Sequence, residues 1–317
     1  MIKKKPLVIL TGPTAVGKTA LSIQLAKKLN GEIISADSMQ VYRGMDIGSA
    51  KILPEETQGV PHHLIDVLSP HEAFDVYRFQ QMAKEKMHEI YQRKHLPIVV
   101  GGTGFYIQAL LYDITFTQEP TDPDYRKKLE DIAKTGEGGK LFAQLKRVDP
   151  QSAVDIHPHN IKRIIRALEY HHLTGDLLSE HNRQMKNKPS PYAFCYFVLN
   201  AERETLYQTI DQRVDKMIQH GLVNEVQSLK DDNLTPDMVS MQGLGYKEIY
   251  AYLDGKMTLD EAIHTVKRDT RHFAKRQLTW FRREKDVIWI QKEDFADDHA
   301  ILEHLIRTIS RQIDGIG

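Results

Sequence analysis

A glycine-rich segment near the start of the chain has the residue types and spacing needed to surround an anion. It follows the apolar run 7–10 and reads Gly12-Pro13-Thr14-Ala15-Val16-Gly17-Lys18-Thr19. In such a loop, backbone N–H groups and the next helix N-terminus bind phosphate, the lysine adds positive charge, and the hydroxyl binds Mg²⁺. A chance turn is the weaker alternative, because a predicted strand precedes the loop. We predict that Gly12 and residues 14–19 bind a polyphosphate, with Thr19 as the Mg²⁺ ligand.

Other sequence marks of a nucleotide hydrolase are missing. A metal-supporting strand would end in an acid, but the best candidate, residues 96–100, runs into the glycine turn Gly101-Gly102-Thr103-Gly104. The segment Asn187-Lys188-Pro189-Ser190 fails the guanine-reading pattern N-K-x-D at its last position. A GTPase is therefore not expected.

The composition is charged but balanced. The 317 residues include 43 Lys or Arg and 43 Asp or Glu, so a polyanion-binding surface would have to arise from local clustering. The single cysteine, Cys195, excludes an internal disulfide and a cysteine-based zinc site, and its apolar surroundings predict core packing. No apolar stretch approaches the roughly 18–20 residues of a membrane span. We expect a soluble cytoplasmic protein without a removable signal.

Alternating strand and helix patterns predict the frame that positions the loop. Strands are expected at 7–11, 32–35 and 97–100, with helices at 17–29, 75–94 and 104–111. This alternation is typical of an α/β fold, here a P-loop NTPase-like parallel sheet flanked by helices. Ligands bind at the carboxyl ends of such strands. The phosphate loop, the turn at 36–40 and the glycine turn at 101–104 should therefore meet at one crevice.

The middle of the chain has a different pattern. From about Glu119, charged helical segments alternate with turn residues, and no strand pattern appears before Pro191. We predict a catalytic core formed by residues 1–118 and 192–317. Residues 119–191 then form an inserted all-helical subdomain.

Three sites have competing interpretations. Asp37, at a predicted strand end, could act as a base or hold a water on the metal, or it could close a turn or cap a helix. Arg163 and Arg166 lie three apart on one helix face and could bind phosphate or form exposed ion pairs. Arg213 has an aspartate on each side, two positions away, so the sequence alone favours a structural ion pair.

The densest basic run covers residues 267–283, where seven of seventeen positions are Lys or Arg and aromatic residues are interleaved. This pattern is typical of a helix that faces nucleic acid. A solvated helix face is the equal alternative.

Five blocks in this order resemble the tRNA dimethylallyltransferase (tRNA isopentenyltransferase) family. The blocks are Gly12-Pro13-Thr14-Ala15-x-Gly17-Lys18-Thr19, Ser35-Ala36-Asp37-Ser38-Met39-Gln40-Val41-Tyr42, Gly101-Gly102-Thr103-Gly104-Phe105-Tyr106, Asn160-x-x-Arg163-x-x-Arg166-Ala167-Leu168-Glu169 and Lys275-Arg276-Gln277-x-x-Trp280-Phe281-Arg282. Eukaryotic members carry a C-terminal zinc finger, which one cysteine cannot build, so the chain resembles the bacterial form.

The resemblance implies a prenyl transfer. In this reaction the N6 amine of the adenosine next to the anticodon on its 3′ side (position 37), in tRNAs reading UNN codons, attacks dimethylallyl diphosphate. Pyrophosphate leaves, so the loop would hold a diphosphate ester, which explains the missing nucleotide-hydrolase motifs. Lys18, the loop amides, Arg213 and Mg²⁺ on Thr19 would stabilise the leaving group. Asp37 would be the base, and the Thr103 hydroxyl would hydrogen-bond the amine.

The resemblance also implies contacts with the tRNA anticodon stem-loop. The adenosine must leave its stack, and Asp37, Thr103 and the turn Ser38-Met39-Gln40 would surround it. Arg126 resembles a family position that contacts tRNA. Arg163 and Arg166 would either line the site or tie the insertion to the core.

Gln242 is a weaker candidate for reading the loop bases, and a simple turn between helices is its equal alternative. The main rival function is a P-loop small-molecule or nucleotide kinase, which shares the loop, the sheet and a mobile helical lid. A tRNA-binding protein with a vestigial loop is a third possibility, disfavoured by the intact Lys18-Thr19 pair. We expect a monomer, because enclosing a stem-loop needs no second chain.

Overall fold

The computed structural model describes residues 4–116 and 122–313. Contacts divide the chain into two compact units, one formed by Met1–Leu111 with Pro191–Gly317 and the other by Tyr112–Ser190. The predicted boundary between residues 118 and 119 lies outside the described residues. None of the helices within the described ranges is long and apolar enough to cross a lipid bilayer.

The first unit is built on one six-stranded sheet. Its strands are β1 (Lys5–Thr11), β2 (Gly31–Ser35), β3 (His62–His63), β4 (Leu96–Gly101), β5 (Tyr192–Asn200) and β6 (Val287–Gln291). All pairs are parallel, and the order is β3-β2-β4-β1-β5-β6. The predicted parallel α/β fold is confirmed. Strand β3 was not predicted, because two residues are too few to show a hydrophobic period.

Helices flank the sheet and build the second unit. They are α1 (Lys18–Leu29), α2 (Val76–Gln92), α3 (Gly104–Leu111), α4 (Pro123–Lys134), α5 (Gly138–Val148), α6 (Pro150–Asp155), α7 (Ile161–Thr174), α8 (Leu178–Asn187), α9 (Arg203–Gln219), α10 (Leu222–Asp231), α11 (Tyr246–Leu253), α12 (Leu259–Phe281) and α13 (Asp298–Gln312).

Strand β1 occupies the interior of the sheet, between β4 and β5. Its residues Leu7 through Leu10 are at most 1% exposed, which explains why the strand is continuously apolar instead of alternating. Cys195 in β5 is also buried, and burial raises the pKa of its thiol to about 12. The cysteine packs in the core, as expected. Because β4 lies between β2 and β1, the turns that follow these three strands are neighbours at one sheet edge.

The second unit has a hydrophobic core of its own. Leu141 and Leu145 of α5 pack with Ile164 and Leu168 of α7, and all four are at most 2% exposed. The buried Asp149 carboxylate accepts hydrogen bonds from the backbone N–H and hydroxyl groups of two serines, which closes the start of α6 and links it to α8. The described part of this unit contains helices and turns without a strand.

Candidate active site

The phosphate loop starts where β1 ends and leads directly into α1. Gly12 has φ 145°, and a Cβ atom there would lie 2.3 Å from the backbone oxygen of Leu199. Gly17, with φ 97°, immediately precedes the first turn of the helix. Both positions therefore require glycine. The geometry is that of an anion site at a helix N-terminus.

Lys18 is held against the loop that it serves. Its Nζ donates hydrogen bonds to the carbonyl oxygens of Gly12 and Pro13, at 2.9 and 2.7 Å. The pKa of Lys18 is lowered to about 7, mainly because the ammonium group is removed from water and also because Arg213 lies nearby, while the charge of Asp37 opposes both effects. A bound anion would favour the charged form of this lysine.

Arg213 of α9 lies beside the same loop. Its Nη1 is 3.5 Å from the Thr14 hydroxyl oxygen, to which it donates. Burial lowers the pKa of the guanidinium, and the charge of Asp37 raises it. The structure thus brings Lys18, Arg213 and Asp37 together, as the predicted site requires.

The aspartates that flank Arg213 pair with another helix. Asp211 binds Arg271 of α12 through both carboxylate oxygens, at 2.6 and 2.7 Å, and Asp215 binds Lys267 of α12 at 2.6 Å. Both aspartates therefore pair with α12, and the ion pair that the sequence alone favoured for Arg213 does not form with them. The guanidinium faces the phosphate loop instead.

Asp37 follows β2 and closes a turn. Its Oδ1 accepts hydrogen bonds from the backbone N–H groups of Met39 and Gln40, at 2.8 and 3.4 Å. The turn-closing alternative is thus realised. The same carboxylate also acts electrostatically on Lys18 and Arg213, so the structural role does not remove it from the site.

The glycine turn after β4 packs directly on the chain that leads to Asp37. The Thr103 N–H donates to the Ala36 carbonyl at 3.2 Å. A Cβ at Gly101 would lie 2.3 Å from that carbonyl oxygen. Thr103 and Asp37 therefore stand on adjacent strand ends that are joined by a backbone hydrogen bond.

The turn Ser38-Met39-Gln40 is fixed from two sides. The Gln40 amide donates to the carbonyls of Ser49 and Ala50, at 3.5 and 3.4 Å, and its oxygen accepts from the Ser35 hydroxyl at 3.2 Å. Ser38 and Met39 remain half-buried.

Met39 also contacts the turn that carries Gln242. A Cβ at Gly243 would lie 2.8 Å from the Met39 methyl carbon, so the two turns touch. Gln242 is exposed and donates to the Pro236 carbonyl. The structure therefore brings Gln242 next to the predicted adenosine pocket, while its side chain serves the local turn.

Two predicted tRNA-binding arginines of the second unit share one buried acid. Arg126 and Arg166 lie 3.0 and 3.7 Å from Oε2 of Glu169, a carboxylate that is 3% exposed. Arg163 is exposed, and among the described residues no ion pair forms with it. Glu169 was missed as a site residue, although its position three residues after Arg166 was a signal for a helical ion pair.

The cations of the basic run fall into two groups, and neither group by itself tests whether the helix faces nucleic acid. Lys267, Arg268 and Arg271 form ion pairs, which use them structurally. Within the described ranges, four further cations of this run are in no ion pair, and they are Lys275, Arg276, Arg282 and Arg283.

One protein oxygen at the loop, the hydroxyl of Thr19, could serve as a ligand to Mg²⁺. The exposed Thr19 is the second residue of α1, beside the anion site. No group of three or more His, Cys, Asp or Glu among the described residues could hold a metal without other ligands. Mg²⁺ typically keeps several waters and takes one or two protein oxygens together with substrate phosphates. Thr19 and a bound diphosphate would meet that requirement.

Comparison with known proteins identifies relatives over nearly the whole chain. Residues 40–284 match the family model described as IPP transferase. A protein of Lachnoclostridium phytofermentans named tRNA dimethylallyltransferase is 58% identical over 97% of this chain and 98% of its own length. A protein of Bacillus subtilis with the same name is 51% identical over 90% of both chains.

Solved structures agree. The full-length tRNA isopentenylpyrophosphate transferase of Bacillus halodurans is 46% identical, covers 98% of this chain and 97% of its own, and superposes with a TM-score of 0.75. A eukaryotic dimethylallyltransferase described as acting on tRNA is 30% identical, covers 95% of this chain and 78% of its own, and gives a TM-score of 0.83. The predicted family is confirmed: this chain belongs to the IPP transferase family and is similar over most of its length to bacterial proteins named tRNA dimethylallyltransferase.

Proposed function

We propose that this chain transfers a dimethylallyl group from dimethylallyl diphosphate to the N6 amine of the adenosine at position 37 of tRNA, in tRNAs that read UNN codons. The observation that carries the proposal is the meeting of a phosphate loop with a carboxylate. Lys18 and Arg213 lie at the loop, and Asp37 lies close enough to act on the pKa of both. Cations for a leaving group and a base for an acceptor thus share one site.

The phosphate loop stabilises the leaving group. As the bond between carbon one and the bridging oxygen breaks, the electron pair goes to pyrophosphate, and negative charge grows there. Lys18, Arg213 and the loop N–H groups stabilise that charge in place, without reorganisation during the reaction. Mg²⁺ bound at Thr19 would supply further positive charge.

The two turns that carry Asp37 and Thr103 orient and deprotonate the acceptor amine. An exocyclic aromatic amine is a weak nucleophile, so it must be oriented and must lose a proton as the N6–carbon bond forms. Both backbone hydrogen bonds of Asp37 use Oδ1, which leaves Oδ2 to take the proton. The Thr103 hydroxyl, on the adjacent strand end, orients the amine.

Access to the adenosine requires that the base leave its stack in the anticodon loop. The turns at Ser38-Met39-Gln40 and Gln242 would surround the extruded base. Arg126, Arg163 and Arg166 of the second unit would bind the backbone of the stem-loop, with Glu169 orienting two of them. We expect the protein to act as a monomer.

A transfer assay tests the proposal against a kinase, which would use the same loop and sheet. Purified protein is incubated with Mg²⁺, unmodified tRNA whose anticodon ends in A, and radiolabelled dimethylallyl diphosphate, while ATP and GTP hydrolysis are followed in parallel. We expect label in the tRNA without nucleotide turnover. Nucleotide turnover with unlabelled tRNA would favour the kinase.

A further inference from the structure

One buried side chain joins the phosphate loop to the turn that carries Thr103. Gln277 of α12 is 6% exposed. Its Oε1 accepts a hydrogen bond from the Thr14 N–H at 2.9 Å, and its Nε2 donates to the Gly102 carbonyl at 2.9 Å. The amide therefore bridges two turns that belong to different strands and to different halves of the proposed reaction.

The bridge is specific in direction. One partner is a donor and the other an acceptor, so a flipped amide would place N–H against N–H and oxygen against oxygen. Without the amide, both the Thr14 N–H and the Gly102 carbonyl would be left unsatisfied in a mostly buried region, which is unfavourable. The bridge therefore holds the two turns at a fixed spacing.

We propose that Gln277 is a positioning residue that sets the distance between the diphosphate loop and the acceptor turn. This inference rests on the proposed function, because it assigns the loop to the leaving group and Thr103 to the amine. Gln277 acts through Thr14 and Gly102 and touches neither substrate. Transfer requires the two reacting atoms to approach in line, and a displacement of about 1 Å is enough to cost on the order of 100-fold in rate.

The first test separates rate from binding. Gln277→Met keeps the length of the side chain and removes both hydrogen bonds. We expect the single-turnover rate, with both substrates saturating, to fall about 10- to 100-fold. Dissociation constants for pyrophosphate and for tRNA, each measured alone, should change less than about threefold, because each turn still binds its own ligand.

Gln80 provides the matched control. It is 2% exposed, and its amide donates to the Ala109 carbonyl of α3 at 2.7 Å, so it is a buried glutamine whose hydrogen bond supports α3 instead of the phosphate loop. Gln80→Met should lower the thermal midpoint about as much as Gln277→Met and leave the single-turnover rate near that of wild type. Equal rate losses in the two variants would show that the effect is general destabilisation, and would overturn the inference.

A second variant reaches the same bridge from its other end. A Cβ at Gly102 would lie 2.1 Å from Nε2 of Gln277, so Gly102→Ala must displace the amide. We expect a similar rate loss in Gly102→Ala, and a double variant with Gln277→Met that is no slower than the slower single variant. Additive losses would overturn the inference, even if Gln277→Met alone folds poorly.

Wild-type protein separates this inference from the proposed function. If wild type transfers no label to tRNA, the proposed function fails, and the inference fails with it. If wild type transfers label and Gln277→Met does so at the same rate, only the positioning role fails.

Discussion

The two oxygens of Asp37 allow its turn-closing role to be separated from its proposed role as a base. Asparagine retains the Oδ1 acceptor that binds Met39 and Gln40, but it cannot take a proton. We expect Asp37→Asn to preserve tRNA affinity and to lower the single-turnover rate by about 10²–10⁴. Asp37→Ala, which loses the turn as well, should also weaken tRNA binding. A near-wild-type rate for Asp37→Asn would remove this residue from the mechanism.

The lowered pKa of Lys18 predicts that the protein takes up a proton when it binds diphosphate. Its pKa in the free protein is about 7, so at pH 8 the neutral form predominates, whereas a bound anion stabilises the ammonium form and raises the pKa. The complex therefore holds more protons than the free protein, and binding weakens as the pH rises above 7. Pyrophosphate titration calorimetry at pH 8, in buffers of different ionisation enthalpy, should show uptake of roughly one proton per site.

Arginine at the same position provides the control for that titration, because it stays charged. Lys18→Arg should take up fewer protons than wild type on binding pyrophosphate under identical conditions. Any protons that pyrophosphate itself gains or loses are the same for both proteins, so they cancel in the comparison. Equal uptake in the two proteins would show that Lys18 is already charged in the free loop.

At the scale of elements, some cations of α12 form ion pairs within the protein, whereas others are exposed and available to bind tRNA. Lys267 and Arg271, four residues apart, face Asp215 and Asp211, also four apart, so α9 and α12 are joined by two ion pairs. Arg276 is exposed on the same helix, and its guanidinium lies over the Phe273 ring. We therefore expect substitution of Arg276 to affect tRNA binding, and substitution of Arg271 to affect stability.

Arg276→Gln should weaken tRNA binding and reduce the slope of log affinity against log salt by about one phosphate contact. Arg271→Gln should lower the thermal midpoint and leave that slope unchanged, because Arg271 already pairs with Asp211. Fluorescence titrations with tRNA at several salt concentrations would measure both slopes. Identical slopes in the two variants would assign the basic run to structure alone.

The elements also show where sequence patterns stop being informative. The alternation of strand and helix patterns, the loop spacing and the changes of pattern near Glu119 and Pro191 were enough to predict a parallel sheet with a helical insertion. The sequence could not show which helix packs on α9, so the partners of Asp211 and Asp215 were assigned to the wrong arginine. Gln277 lies within one of the five sequence blocks, but its role could not be predicted, because its partners Thr14 and Gly102 lie 263 and 175 positions away.

At the scale of the molecule, the second unit has its own core. This predicts that a core substitution in one unit impairs the binding function of that unit and spares the other. Leu145 is 0% exposed in that core, and Leu25 of α1 is 0% exposed in the core of the first unit. Each leucine-to-alanine change should cost about 2–5 kcal/mol of local stability. Leu145→Ala should weaken tRNA binding and spare pyrophosphate binding, whereas Leu25→Ala should weaken pyrophosphate binding. Calorimetry and both binding titrations measure the outcome, and loss of pyrophosphate binding in Leu145→Ala would contradict it.

The position of the transferred group tests the central claim most directly. After incubation with labelled dimethylallyl diphosphate, the tRNA is digested to nucleosides, and the labelled nucleoside is identified by mass. A matched transcript carries guanosine in place of the adenosine next to the anticodon. We expect N6-isopentenyladenosine from the first transcript and no label from the second. Label on both transcripts, or phosphate transfer from ATP with no prenylated nucleoside, would contradict the account.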